Sequence, residues 1–213
     1  MANVKQQLEV PSIPSLGFAP EAYERRHFSE NYGALNVYFR KTISVLGSLF
    51  GQRGGRFMNA PYGAFQDTTD QAAAAADTAY AITLNTTDYA NGVSVVSNSR
   101  ITVTDAGIWN LQWSGQFQNT DSQLHDARIW LKVNGTSITG STGYISVPNS
   151  HGGVDGHLIA GWNYFLSLNS NDYVELWWET DSTNVSIQSY NASGNYPSTA
   201  AVVATMTFVS NIP

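Results

Sequence analysis

Residues 99–119 read SRITVTDAGIWNLQWSGQFQN, and the second half of this stretch alternates strictly between two kinds of residue. Asparagine, glutamine and serine fill one set of alternate positions, and none of them is charged. The other set is apolar or glycine: Trp109, Leu111, Trp113, Gly115 and Phe117. Because successive side chains of a β-strand point to opposite faces, this period predicts a strand over 108–119 with one face in a core.

Alternation with the same period recurs along the chain from residue 58 onward. Turn signals such as Asn91-Gly92 and Asn134-Gly135 separate the alternating segments. The alanine-rich run QAAAAADTAYA has high helix propensity but is short, and we expect a loop that leads into a strand. The predicted strands are 61–66, 79–85, 93–97, 100–104, 108–119, 127–134, 156–168, 172–181, 184–190 and 199–209. Many short strands separated by turns are typical of an antiparallel sandwich.

The composition favours an external β-protein over a cytosolic enzyme. Of the 213 residues, 42% are apolar and only 12% are charged, where about 25% is usual. The sequence has no cysteine, which excludes disulfides, a thiolate nucleophile and a thiolate zinc site. No apolar run reaches the ~18 residues that cross a bilayer, and the first residues lack a secretory signal pattern. We therefore expect no membrane span and no export by a signal peptide.

Charge divides the chain into two segments. Seven of the ten lysines and arginines lie in residues 1–57, which carry a net charge of +3. Residues 58–213 carry −9, which gives the −6 of the whole chain. Opposite charge balances indicate two different roles. We predict an N-terminal segment over 1–57 and a β-domain over 58–213.

The N-terminal segment predicts an extended arm, residues 1–19, followed by one helix. Pro20 is a favourable first helical residue, and Gly33 can break or kink the helix. The glycine-rich stretch GQRGGR at 51–56 ends it. A stripe of apolar residues recurs at helical spacing: Phe28, Tyr32, Leu35, Phe39, Ile43, Leu46 and Phe50. This stripe can pack on the following domain or on copies of itself in a short bundle, and the sequence leaves both open.

Two predicted strands carry large aromatic residues on the face that is not the core. The predicted core set in 127–134 and 172–181 is Ile129, Leu131, Val133, Val174, Leu176 and Trp178. Trp130, Tyr173 and Trp177 alternate with that set and therefore point outward. Covering one such ring is worth several kcal/mol, at roughly 25 cal/mol per Å² over about 150–250 Å². A partner chain would supply this cover; a loop or the N-terminal helix is the alternative.

Together these segments resemble the C1q/TNF-like jelly-roll domain over about residues 60–210. Residues 105–109, DAGIW, match the family's glycine turn before a long strand, and 131–135, LKVNG, match its hairpin. Residues 166–176, LSLNSNDYVEL, match its last motif, with Asn171 where the family usually has glycine. More narrowly, residues 62–110 resemble C1q-like domains in structural proteins of tailed phages, and 28–51 resemble the helical lead-in of such proteins.

The resemblance implies an antiparallel jelly-roll sandwich that forms a homotrimer around a threefold axis. The candidate trimer-interface residues are Trp130, Tyr164, Phe165, Tyr173 and Trp177. The resemblance also implies a non-enzymatic virion protein of a tailed phage: a tail fibre, a knob or a capsid decoration. Residues 1–57 would anchor the head in the virion by binding other virion proteins, and the head would attach to a host surface glycan. The alternatives are a carbohydrate-binding module and a polysaccharide depolymerase.

The stretch NSHGGVDGH, residues 149–157, is a candidate distal loop. Its His151, Asp155 and His157 have a spacing that can ligate a metal ion, but a polar surface loop has the same composition. We therefore assign no metal and no cofactor. Ser150 and His151 do not resemble a nucleophile elbow, so no catalytic residue is assigned.

Two further patterns are weak candidates for chemistry. Glu175 and Glu179 would lie about 13 Å apart along one strand, too far for either glycosidase geometry, and Asp181 follows about 7 Å beyond Glu179. We favour an acidic edge over a catalytic pair. The stretch GQRGGRF lacks the Lys-Ser/Thr of a phosphate loop. The −9 charge of residues 58–213 argues against nucleic acid as a partner.

Overall fold

The chain forms two compact units, residues 1–59 and 60–213, with a boundary close to the expected one at 57/58. The computed structural model describes residues 11–16, 18, 21–50 and 60–211, without the side chains of residues 48–50. Pro20, most of the predicted arm and the glycine-rich stretch at 51–56 lie outside these residues.

One helix, α1 (Arg25–Phe50), is present in the described part of the first unit. It begins later than predicted, because residues 21–24 are not helical. The carbonyl of Glu24 accepts a bond from the Phe28 amide at 3.2 Å, and the Tyr23 ring stacks on the Phe28 ring at 5.2 Å. This apolar pair across the N-cap is a hydrophobic staple, and it fixes the first turn in place of the proline. The helix continues through Gly33.

No helix of the described residues is long and apolar enough to span a membrane. Residues 11–16 contain neither helix nor strand. Pro11 and Pro14 line a shallow depression of about 340 Å³ together with Gly33, Ala34 and Val37 of α1. At about 100° per residue, this face of α1 is opposite to the apolar stripe.

The second unit is mainly β, as predicted. Its strands are β1 (Tyr62–Asp67), β2 (Gln71–Ala72), β3 (Tyr80–Ala81), β4 (Thr86–Asn91), β5 (Val93–Val96), β6 (Arg100–Val103), β7 (Gly107–Asn119), β8 (His125–Val133), β9 (Thr136–Ser137), β10 (Gly143–Val147), β11 (Gly156–Leu168), β12 (Tyr173–Thr180), β13 (Val185–Ile187) and β14 (Val202–Ser210). The prediction for β11 is confirmed residue for residue, and the alanine-rich run is not helical, as expected.

Four strands were not predicted, and two predicted strands are shorter than expected. The missed strands are β2, β4, β9 and β10. In β4 the exposure of the side chains does not alternate, and its pairing with β1 shifts register between Ala64 and Phe65. A period-two search cannot find such a strand. The segments 79–85 and 184–190 keep only the strands β3 and β13.

The strands form two antiparallel sheets of seven strands each. Sheet 1 has the order β11-β7-β14-β1-β4, and β13 and β2 extend it beside the end of β7. Sheet 2 has the order β10-β8-β12-β6-β5, with β3 beside β12 and β9 beside β8. Four of the pairs are nested in the sequence: β8 with β10, β7 with β11, β6 with β12 and β1 with β14.

The inward faces of the two sheets share one hydrophobic core. Trp109, Leu111, Trp113 and Phe117 of β7 are at most 4% exposed, which confirms the face predicted from the alternation. The predicted core residues of β8 and β12 are buried too, apart from the half-buried Val133. Phe117 of sheet 1 meets Trp178 of sheet 2 edge to face, with ring centroids 6.0 Å apart. Two sheets joined in this way form a sandwich.

Candidate functional site

The outer face of sheet 1 is uncharged across three adjacent strands, from the edge strand β11 through β7 to β14. The strands β7, β11 and β14 contain no aspartate, glutamate, lysine or arginine. Large apolar side chains nevertheless stand exposed on this face, each between 44% and 71% accessible: Tyr62, Tyr89, Ile159, Phe165, Val203 and Val209. Exposed apolar residues grouped on one flat, uncharged face are typical of an interaction surface.

Four of the five polar residues that β7 presents on this face are amides, and one of them bonds across to β11. Asn110 of β7 lies between Phe165 of β11 and Thr207 of β14 in the sheet register. Its amide nitrogen donates a hydrogen bond to the side-chain oxygen of Asn163. Such neutral groups can be covered by a partner without the cost of burying a charge. The outer face of sheet 1 therefore combines apolar area with a low cost of desolvation.

The outer face of sheet 2 is charged, and its charges pair within the chain. Arg128 lies 3.0 Å from Glu179, and Arg100 lies 3.6 Å from Glu175. Glu175 is 6% exposed and also accepts a bond from the Ser99 hydroxyl at 2.8 Å. These ion pairs hold acidic and basic side chains over the sheet, so this face differs from that of sheet 1 in both charge and cover.

The outward aromatic residues of sheet 2 are covered by basic side chains of the same face. The Lys132 ammonium lies 3.3 Å from the centre of the Trp177 ring, and the Arg100 guanidinium lies 4.6 Å from that of Tyr173. A cation over an aromatic ring is attracted by the ring's quadrupole, while its aliphatic stem shields the ring from water. Tyr173 and Trp177 are consequently only partly exposed in a single chain, and Trp130 is partly exposed too.

The five candidate interface residues do not form one surface. Trp130, Tyr173 and Trp177 lie on the outer face of sheet 2, and Phe165 lies on that of sheet 1. Tyr164 points inward, and its hydroxyl donates to the Ser141 carbonyl at 2.8 Å. Burial raises the pKa of Tyr164 above its ordinary value. Neighbours in a strand face opposite ways, so positions 164 and 165 cannot share one contact.

The apolar stripe of α1 is largely exposed. Five of its members are between 46% and 71% accessible: Phe28, Tyr32, Phe39, Ile43 and Leu46. Leu35 is half-buried, and the side chain of Phe50 lies outside the described residues. The arm residues Pro11 and Pro14 lie against the other side of the helix and do not cover this stripe.

A groove of about 480 Å³ lies where the loop 188–201 folds back beside the first residues of β11. Tyr190, Tyr196 and His157 contribute to its walls. A second, more polar depression of about 320 Å³ adjoins it and shares Tyr190 and Thr199. Of the distal-loop candidates, only His157 belongs to this groove.

The other two distal-loop candidates are elsewhere. His151 is exposed in a tight turn, where its backbone pairs with Val154 at 2.8 and 3.0 Å. Asp155 accepts a hydrogen bond from the Gln118 amide. The three residues therefore do not converge on one point. Within the part of the chain that the structure describes, no group of three or more histidines and carboxylates is arranged to hold a metal ion.

The carboxylates considered for hydrolysis all have partners. Glu175 and Glu179 engage arginines, as described above, and Asp181 faces His125. The ring nitrogens of His125 lie 3.0 Å from a carboxylate oxygen of Asp121 on one side and of Asp181 on the other. Hydrogen bonding to His125 lowers the pKa of Asp121 to about 2, and the bond to Asp121 raises the pKa of His125. This cluster ties the loop after β7 to the turn after β12.

The sequence contained an unused signal for the uncharged face. Charges are absent from β7, β11 and β14 but present in β6, β8 and β12. Comparing charge between strands, and not only alternation within each strand, distinguishes β7, β11 and β14 from the charged central strands of sheet 2. Comparison of the sequence with protein-family models found no match, and comparison with curated proteins also found none.

Proposed function

We propose that the chain is a non-enzymatic structural protein of a tailed-phage virion, whose head is a homotrimer packed through the outer face of sheet 1. The observation that carries the trimer is the difference between the two outer faces: that of sheet 1 is apolar and uncharged over β7, β11 and β14, and that of sheet 2 is charged and internally paired. The virion role rests on the resemblance of residues 60–210 to phage C1q-like domains.

The nested strand pairs support a jelly roll of the C1q/TNF-like kind. A jelly roll is a double sheet in which the chain wraps as one long antiparallel hairpin, so that its strands pair from the middle outward. The pairs of β8 with β10, β7 with β11, β6 with β12 and β1 with β14 follow this order. They also place β7 and β11, which carry most of the uncharged face, side by side in one sheet.

The apolar area of the outer face of sheet 1 is sufficient for a stable contact. The six exposed apolar residues on it offer on the order of 600 Å² of accessible surface. A standard protein interface buries about 800 Å² on each partner, polar atoms included. Phe165 and Ile159 lie on β11 at the edge of the sheet, where a neighbouring head can reach them.

Residues 1–57 are proposed to attach the head to the particle. Their net charge of +3 is opposite to that of the head, and the exposed stripe of α1 offers an apolar surface for other virion proteins. The test is to produce phage with a tagged chain, either complete or lacking residues 1–57. The complete chain should appear on purified particles by immunogold electron microscopy, and the truncated chain should remain free as a trimer. Particles that carry both chains equally would contradict the proposal.

The second candidate is a carbohydrate-binding module, which the groove beside loop 188–201 favours. An isolated module would bind glycan and would be absent from purified particles. For a depolymerase, incubation with envelope polysaccharide must release reducing ends. The pairing of Glu175, Glu179 and Asp181 with basic partners supports the non-hydrolytic alternative.

A further inference from the structure

The loop 188–201 is short and is held in one conformation over the end of sheet 1. Tyr190 and Thr199 exchange backbone hydrogen bonds of 3.3 and 2.8 Å, and Ser193 and Tyr196 exchange a second pair of 3.2 Å each. Gly194 turns the chain at the tip with a φ of +57°, a conformation that favours glycine. The loop therefore already has a defined shape before any ligand binds.

The base of the loop 188–201 is fixed to the sheet by further hydrogen bonds. The Gln116 side chain donates to the Ala200 carbonyl at 2.7 Å, and the Ser189 amide donates to Asp70 at 2.8 Å. A surface that is rigid before binding does not have to order its loops when a ligand arrives, which improves affinity. The groove between this loop and β11 has a volume of about 480 Å³, which lies within the range of small-ligand sites.

The walls of the groove combine flat apolar surfaces with neutral polar groups. The Tyr190 and His157 rings meet edge to face at 5.7 Å, and the Tyr190 hydroxyl lies 3.0 Å from Nδ1 of His157. Tyr196 is 57% exposed and therefore presents open apolar surface. Within the described residues, Nε2 of His157 makes no hydrogen bond and remains available to a ligand.

This combination suits the two kinds of surface on a pyranose ring. The C–H face of a sugar packs on an aromatic ring, and its hydroxyls need donors and acceptors at the rim. The adjoining depression supplies such groups from Ser189, Asn191 and Ser198. Because the two depressions share Tyr190 and Thr199, a chain of two or more sugar units can occupy both.

The charge around the groove selects against acidic sugars. No aspartate, glutamate, lysine or arginine lines it among the described residues. Asp155 and Asp70 lie close enough to act on Tyr190, whose pKa is raised by burial first and by these two carboxylates second. Their negative charge repels uronic acids, sialic acids and phosphate groups.

We infer that the groove between β11 and the loop 188–201 is a binding site for a neutral oligosaccharide, whose sugar rings stack on Tyr190 and Tyr196. The inference deepens the proposed virion role by adding the attachment to a host glycan that the family resemblance implies, and it rests on that role for its biological meaning. The binding itself requires only the residues of one head.

The test uses the full chain against an array of neutral hexose oligosaccharides and matched oligosaccharides of uronic acids, followed by titration of each binder. At least one neutral oligosaccharide should bind, and the uronic-acid series should not. Tyr196→Ala should weaken that binding about tenfold or more, which corresponds to one stacking contact of about 1.4 kcal/mol. Tyr144→Ala is the matched control: Tyr144 is 66% exposed on sheet 2, away from the groove, and its loss should leave affinity unchanged.

Three outcomes would overturn the inference: no neutral oligosaccharide binds, the uronic-acid series binds as well or better, or Tyr196→Ala binds like the unaltered chain. Failure of the proposed assembly is distinguishable from these. A monomeric chain that binds neutral oligosaccharide through Tyr196 would contradict the trimer and support the groove, whereas a trimer that binds none would do the reverse.

Discussion

Replacing Phe165 with aspartate should prevent assembly of the proposed trimer without unfolding the protomer. Phe165 is 66% exposed in a single chain, so its side chain contributes little to the core. It lies beside Asn110 on the uncharged outer face of sheet 1. Burying an aspartate there would also place three like charges in three equivalent contacts, with no cation on β7, β11 or β14 to offset them.

The expected magnitude follows from the exposed area of the ring. A phenylalanine offers about 200 Å², so covering the exposed 66% removes about 130 Å² from water and is worth about 3 kcal/mol per protomer. The loss over three protomers is about 9 kcal/mol. The concentration of half-assembly varies as the square root of the trimer dissociation constant, so it should rise roughly a thousandfold.

Sedimentation equilibrium of the full chain measures this shift directly. Tyr144→Asp is the matched control, because Tyr144 is equally exposed, at 66%, but lies on the outer face of sheet 2. The control should assemble like the unaltered chain, and both variants should keep its circular dichroism spectrum. If Phe165→Asp assembles normally while Tyr144→Asp does not, the assignment of the interface to sheet 1 is wrong.

Three further substitutions test the fold and its electrostatics. The raised pKa of His125 contributes stability that is complete below its ordinary pKa of 6.5 and is lost as pH rises through its pKa in the folded protein. The pKa of Asp121, lowered to about 2, contributes stability that is complete above its ordinary pKa of 3.8 and is lost as pH falls. His125→Gln should therefore flatten the dependence of the melting temperature on pH above 6.5, and an unchanged slope would refute a stabilising role for the cluster. Asn119→Ala should lower the free energy of unfolding by about 3 kcal/mol in chemical denaturation, because this fully buried amide bonds to the Gln123 and Val147 carbonyls and to the Asp121 amide. The control Gln118→Ala, on the opposite face of β7, should lower it by less than about 1 kcal/mol. Equal losses in the two variants would contradict this prediction. Gly156→Ala should lower the free energy of unfolding by at least about 2 kcal/mol, since the new Cβ would lie 1.8 Å from the Pro148 carbonyl oxygen. The control Gly33→Ala, which has open space around its Cβ, should not lower the melting temperature. A Gly156→Ala protein as stable as the unaltered chain would show that the 148–156 loop can move aside.

Alternation in the sequence predicted ten of the fourteen strands and the core, because it records local backbone geometry. The inward set of β7 and the bounds of β11 follow from period two alone. The start of α1 did not follow, because the stacking of Tyr23 on Phe28 outweighs the signal of Pro20. Strands without alternating exposure, such as β4, carry no such record and were missed.

The site depended on contacts between distant parts of the chain. Trp177 is covered by Lys132 of the neighbouring strand, so an outward tryptophan did not by itself require a partner chain. The groove exists because Gln116 holds the loop at Ala200, a pairing that no local pattern reveals. By contrast, the absence of charge from β7, β11 and β14 is visible in the sequence, and it acquires meaning once these strands are known to be adjacent in one sheet.

The mass in solution of a fragment spanning residues 60–213 is the most direct test of assembly through sheet 1. This unit has its own core, and the fragment lacks α1, so only the head can hold the chains together. Native mass spectrometry should find an assembly of three copies of the fragment. A folded fragment that remains a single copy at the highest attainable concentration would contradict the account.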